Sequence, residues 1–122
     1  SLYTSIIPNF LVPGISNAVN SSNAIKVFVC NVATEPPETD QYDANQHIQG
    51  LLEHSGIVVD YFLMNNNLTF IPSNVQQQAV SPSPQPNGSN IFFLEADLAS
   101  EQYIGRHDPT KIADKLMEFA TA

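Results

Sequence analysis

The sequence predicts an α/β fold of three layers around a mostly parallel sheet. The runs Ala24 to Cys30 and Ile57 to Met64 are largely apolar and rich in β-branched and aromatic residues, the composition of strands covered on both faces. Between them lies a helical repeat with Ile48, Leu51 and Leu52 on one face, opened by Asp43 and Gln46 at capping-box spacing and closed by Gly56. Strand, helix and strand in that order form a parallel crossover of right-handed sense. A third run, Ile91 to Glu95, reads as a further strand.

The remaining elements follow along the chain. Ser1, Thr4 and Ser5 stand ahead of the apolar residues Ile6, Ile7, Phe10, Leu11 and Ile15, which is the pattern of a capped helix amino terminus. This helix runs from about Tyr3 to Val19 and is interrupted near Val12-Pro13-Gly14, where proline removes a hydrogen bond and glycine weakens the helix. Such a start packs a core, and its free N–H groups and hydroxyls also suit a phosphate. After the polar turn Asn20 to Asn23 comes the first strand, expected to be interior. The stretch Asn31 to Gln41 holds two prolines and three acidic residues and leaves that strand's carboxyl end as a loop. Asn65 to Asn67 is a polar loop, and residues 79–90, rich in Ser, Pro and Asn, form a flexible surface loop. The loop through Tyr103 to His107 leads to Asp108 as N-cap and Pro109 at the first helical position, and the final helix buries Ile112, Leu116 and Phe119.

If the strands are parallel, helix amino termini and strand carboxyl termini open on one edge of a Rossmann-like sheet, where open α/β sheets bind ligands. That edge collects Ser1 to Ser5, Asn31 to Thr39, Asn65 to Asn67 and Arg106 to Asp108. Arg106 is the one arginine of the chain, and its planar fork can hold a phosphate or carboxylate through two hydrogen bonds; alternatively it pairs with one of many acidic neighbours. Asn31 and Thr34 can reach a base, ribose or sugar hydroxyl, or can simply shape the turn.

A chain of 122 residues is one domain at most and is short for a complete nucleotide-binding enzyme. Twelve acidic against four basic residues give a net charge of −8, so no basic stripe exists for a nucleic acid. Neither a membrane span nor a secretory leader is visible, and the single Cys30 suits a reducing, cytoplasmic setting. His47, His54 and His107 lack the spacing of a helical zinc site. Glu35, Glu38, Asp40 and Asp43 could hold Mg²⁺ beside a diphosphate, although a solvated loop explains them more simply. No nucleophile elbow, phosphate-loop lysine or Cys-x-x-Cys is present.

Three stretches carry a resemblance. Ser1 to Val12 resembles Gly-Pro-Gly-Ser-Leu-Tyr-Thr-Ser-Ile-Ile-Pro-Asn-Leu-Leu-Val without the leading glycines. Val29 to Tyr42 resembles Val-Cys-Asn-x-Met-Thr-Gln-Pro-Gly-Glu-Thr-Asp-x-Tyr, and Arg106-His107-Asp108-Pro109 matches a third word. Both longer words are those of the YvcK-like gluconeogenesis factors, which are related to the CofD-type 2-phospho-L-lactate transferases. The resemblance implies that the chain is the carboxy-terminal portion of a larger α/β domain. It further implies a regulatory protein of carbon metabolism and cell-wall shape that binds a UDP-sugar such as UDP-N-acetylglucosamine, the alternative being a phospholactyl transferase. Ser1, Tyr3, Thr4, Ser5 and Arg106 would then hold the diphosphate, Asn31 and Thr34 would contact nucleotide or sugar, and Thr39 with Tyr42 would follow from the second word. Pro37 stands where the family has glycine, Ala33 where it has methionine and Gln46 where it has aspartate before the histidine. Ser1 as an amino-terminal nucleophile is set aside, because the family word makes it an interior residue. The expected partner beyond the ligand is the missing amino-terminal half or a second copy in a homo-oligomer, with neither nucleic acid nor membrane.

Overall fold

The computed structural model describes residues 1–69 and 76–121. Element order is a π-helical turn Leu2–Ile6, α1 (Ile7–Phe10), α2 (Ile15–Ser21), β1 (Val27–Val29), α3 (Ala44–Ser55), β2 (Tyr61–Asn65), β3 (Phe92–Ala96) and α4 (Pro109–Thr121). The first predicted helix is therefore two helices separated at residues 11–14. Its first turn is π-helical because the Ser1 carbonyl accepts from both Ser5 and Ile6 N–H, each at 3.1 Å.

The strands form one parallel sheet in the order β1-β2-β3, with Phe28 opposite Phe62 and Phe62 opposite Phe93. Successive side chains of a strand point to opposite faces. On one face Phe28, Cys30, Phe62 and Met64 pack with Ile48 and Leu51 of α3 and with Leu2 and Ile7. On the other, Tyr61 lies 4.7 Å from Phe119 of α4, ring centre to ring centre. Helix, sheet and helix make the expected three layers. Gly50 of α3 allows the first of these contacts, since a Cβ there would sit 2.7 Å from the Tyr3 hydroxyl and 3.3 Å from Leu2 Cδ2.

The α3 boundaries follow the local chemistry. Asp43 Oδ1 accepts from Gln46 N–H, the Gln46 side chain accepts from Asp43 N–H, and Gly56 ends the helix at φ 70°. At α4, Asp108 Oδ1 accepts from Thr110 N–H at 2.9 Å, with Pro109 at the first position.

Three expectations need correction. β1 pairs only with β2 among the described residues, so it is an edge strand, and Val27 and Val29 are half-buried. Apolar composition reports cover on two faces but not a neighbour on each side. α4 buries no residue fully: Leu116 is 37% exposed, and Leu116, Phe119 and Ala120 face Ile25 and Val27 across an unfilled cleft of about 420 Å³. Residues 79–90 are not all a surface excursion. Val80 and Ser83 are buried; Ser81 O accepts from Ala44 N–H and Ser83 Oγ from Asn45 N–H, so this segment caps α3.

Phe62, fully buried between the Phe28 ring at 5.4 Å and the Phe93 ring at 5.0 Å, holds the central strand to both neighbours. Phe62→Ala should cost about 3–5 kcal/mol of stability, read from urea unfolding; a loss below about 1 kcal/mol would contradict this packing.

Candidate functional site

The carboxyl ends of β1 and β3 bring two loops together. After β1 the chain passes through Asn31 to Ala33; after β3 it reaches Gly105 to His107. Ser1, Asn31, Val32, Ala33, Glu35, Gly105, Arg106 and His107 line one cleft of about 360 Å³. Sequence positions 1, 31 and 106 thus meet at the sheet's carboxyl edge.

The Arg106 guanidinium makes no hydrogen bond or ion pair with the described residues, and the Asn31 carboxamide makes none either, so both are available to a ligand. The Arg106 loop itself is tied down. Ser100 N–H donates to Arg106 O at 2.9 Å, Arg106 N–H to Tyr103 O at 3.1 Å and Asp108 N–H to Leu98 O at 2.8 Å. His107 Nε2 lies 2.8 Å from the Cys30 carbonyl, which can only accept, so Nε2 carries the proton. Sequence reasoning put His107 and Glu35 on the ligand edge, weighing the first as a metal ligand and the second as a Mg²⁺ carboxylate, but it did not foresee this bond or Gly105 as a lining residue. Adjacency to Arg106 was the one signal for His107.

The other expected ligand residues have side-chain partners inside the chain or lie outside the cleft. Ser1 reaches the cleft, but its hydroxyl donates to Glu38 Oε2 at 2.8 Å and accepts from Thr4 N–H. A carboxylate from the chain thus occupies the positive end of the first helix. Thr4 bonds Ser1 Oγ through its hydroxyl, and Thr4 and Ser5 lie outside the cleft lining. Tyr3 turns toward α3, bonding Tyr42 Oη at 3.1 Å; that bond first, then burial, pushes the Tyr3 hydroxyl up to about 12. Thr34 and Thr39 are buried. Thr34 Oγ1 accepts from Gln78 N–H at 3.0 Å and Thr39 Oγ1 from Glu35 N–H at 2.8 Å, so both brace the loop rather than face the cleft. In α3 and α4 the first-turn N–H groups are consumed by Ser81, Ser83, Asp43 and Asp108, leaving no phosphate cradle at either helix start.

The acidic residues do not converge. Glu38 bonds Ser1, Asp43 caps α3, Glu35 lines the cleft and Asp40 lines a separate depression with Pro36, Pro37, Gln41, Gln76 and Gln78. Among the described residues no three His, Cys, Asp or Glu side chains gather as a metal-holding group. Burial pushes the Cys30 thiol well up, which keeps it protonated and unreactive. No helix of the described residues is long and apolar enough to cross a membrane.

Comparison with known proteins identifies the family and the fold. A family model described as 2-phospho-L-lactate transferase CofD matches residues 1–101. The gluconeogenesis factor of Bacillus subtilis is 36% identical over 97% of this chain and 40% of its own length. That of Halalkalibacterium halodurans is 34% identical over 97% of this chain and 39% of its own. A solved UPF0052-family protein from Bacillus halodurans superposes with a TM-score of 0.81 at 32% identity, covering 96% of this chain and 40% of that one. The chain spans about 40% of the length of these three relatives.

His47 of α3 is fully buried, its ring 5.5 Å from that of Tyr42. Its Nδ1–H donates to Asp43 O at 2.8 Å while Nε2 has no partner among the described residues. Burial lowers its pKa, outweighing the Asp43 carbonyl and carboxylate, which favour the charged ring. The folded protein therefore keeps the ring neutral, whereas the unfolded chain protonates it near pH 6.5. The stability that depends on a neutral ring is complete above about pH 6.5 and is lost as pH falls below it. Denaturant midpoints at pH 7.5 and 5.5 should separate less in His47→Asn, which keeps a side-chain N–H for Asp43, than in the wild type. Equal separation in the two proteins would show that His47 does not set this dependence.

Proposed function

This chain belongs to the CofD family, on the YvcK-like (UPF0052) branch whose members are named gluconeogenesis factors, and from that premise we propose that it binds a UDP-sugar in the cleft between Asn31 and Arg106. The observation that carries the reading is a guanidinium and a carboxamide lining one cleft, neither with a partner among the described residues, at the edge where parallel sheets take ligands. Arg106 offers the diphosphate a planar pair of donors; Asn31 offers a donor and an acceptor to sugar or ribose. Because the first-turn donors of α3 and α4 are occupied, recognition rests on these side chains rather than on those two helix starts.

The ligand's role on this reading is regulatory, in carbon metabolism and cell-wall shape. A UDP-sugar that prefers one arrangement of the protein shifts the population toward it, and a partner responds to the extent of that preference. The open edge of β1 and the exposed Ile25, Leu116 and Met117 suit cover by further chain, in keeping with a match to only 40% of the relatives' length. The second reading, a CofD-type phospholactyl transferase, is favoured by the description of the family model itself. It requires Mg²⁺ with the donor diphosphate, and Glu35 is the carboxylate lining the cleft.

Calorimetric titration of the full-length protein with UDP-N-acetylglucosamine decides between them. Arg106→Ala should weaken binding at least about tenfold, since a charge-assisted hydrogen bond contributes roughly 1.5–3 kcal/mol. An unchanged titration refutes the role of Arg106, and product formed from a phospholactyl donor with Mg²⁺ would favour the transferase.

A further inference from the structure

We propose that His107 is a positioning residue that clamps the Arg106 loop to the sheet, so that the cleft presents a preset guanidinium. This rests on the reading of the cleft given above. Residues 101–104 are exposed, Tyr103 at 61% and Ile104 at 54%, and the bonds of Tyr103, its N–H to Ser100 Oγ and its carbonyl from Arg106 N–H, are internal to the loop. On the β3 side lie the buried Leu98, Ala99 and Ser100, joined to the returning chain by the Leu98–Asp108 and Ser100–Arg106 backbone bonds and a bridge between Ala99 and His107. All of these join the loop to its own stem.

The His107 Nε2–H bond to Cys30 O differs in kind. It crosses 77 positions of sequence to the end of β1, whose own register is continued by Cys30 N–H donating to Leu63 O at 2.9 Å. The imidazole thus ties the loop bearing Arg106 to the strand from which Asn31 emerges. Leu98 N–H donating to Asn65 Oδ1 at 3.0 Å anchors the loop stem to β2, and the His107 bond adds a direct tie from the residue beside Arg106 to the residue beside Asn31. Proton placement is dictated by the carbonyl, so the ring serves as a donor in both its neutral and its protonated form.

The test uses the full-length protein with UDP-N-acetylglucosamine as probe, and amide hydrogen exchange without ligand. His107→Ala should weaken binding about fivefold, the loss expected for one ordinary hydrogen bond. His107→Gln, whose Nε2–H₂ can reach the same carbonyl, should restore binding to within about twofold, a recovery judged against that same scale. In an Arg106→Ala background His107→Ala should add almost nothing, because the clamp acts through the guanidinium. Ser100, Arg106 and Asp108 amides should exchange faster in His107→Ala and return to wild-type rates in His107→Gln. Unchanged exchange in His107→Ala, or an undiminished effect of that change in the Arg106→Ala background, overturns the proposal. Exchange that responds as expected in a protein that takes up no UDP-sugar supports the clamp and removes the ligand assignment instead.

Discussion

Parallel pairing is the constraint on which this molecule depends. Two strands running the same way cannot be joined by a tight turn, so the chain must cross a face of the sheet before it pairs again, as α3 does between β1 and β2. Every strand then ends on the same edge. The Cys30 carbonyl and His107 Nε2, 77 residues apart, come within 2.8 Å because the chain leaves β1 and β3 in the same direction.

Such an edge concentrates unpaired backbone donors, and this chain satisfies most of them itself. Ser81 and Ser83 reach over to the first turn of α3, Asp43 and Asp108 cap α3 and α4, and Thr34 and Thr39 turn inward to brace the loop between them. The consequence is functional. With those donors taken, the ligand proposed for this cleft would meet the guanidinium of Arg106 and the carboxamide of Asn31, which have no side-chain partner among the described residues. Selectivity then lies in side-chain placement, which a clamp such as His107 can control.

Much of this architecture was legible in the sequence because its signals are local. Asp43 with Gln46, Gly56, and Asp108 with Pro109 mark helix ends through chemistry contained within a turn, and the structure has each of them in that role. The gathering of Ser1, Asn31 and Arg106 followed from strand direction alone. What was not legible depends on partners distant in sequence. Nothing near Thr34 announces Gln78, nothing near Ser1 announces Glu38, and a Ser- and Pro-rich stretch looks solvated until Ser83 is seen against Asn45. Tyr3 was read as a ligand residue within a hydroxyl-rich word, while the small Gly50 that lets it pack on α3 lies far along the chain. The edge position of β1 escaped for the same reason: composition describes a strand's faces and leaves its flanks open.

Charge adds a last step. The chain carries a net charge of −8, and Glu35 shares the cleft with its one arginine. On the proposed reading, the charge of this chain would oppose rather than steer the approach of a diphosphate. Attraction begins only within the Debye length of about 8 Å at physiological salt, where Arg106 dominates by proximity. A mobile guanidinium would spend its short reach ion-pairing with Glu35 or the nearby loop carboxylates. The proposed clamp would restrict those alternatives by holding the Arg106 backbone to the β1 end, and so keep the guanidinium ready for an anion in an acidic chain.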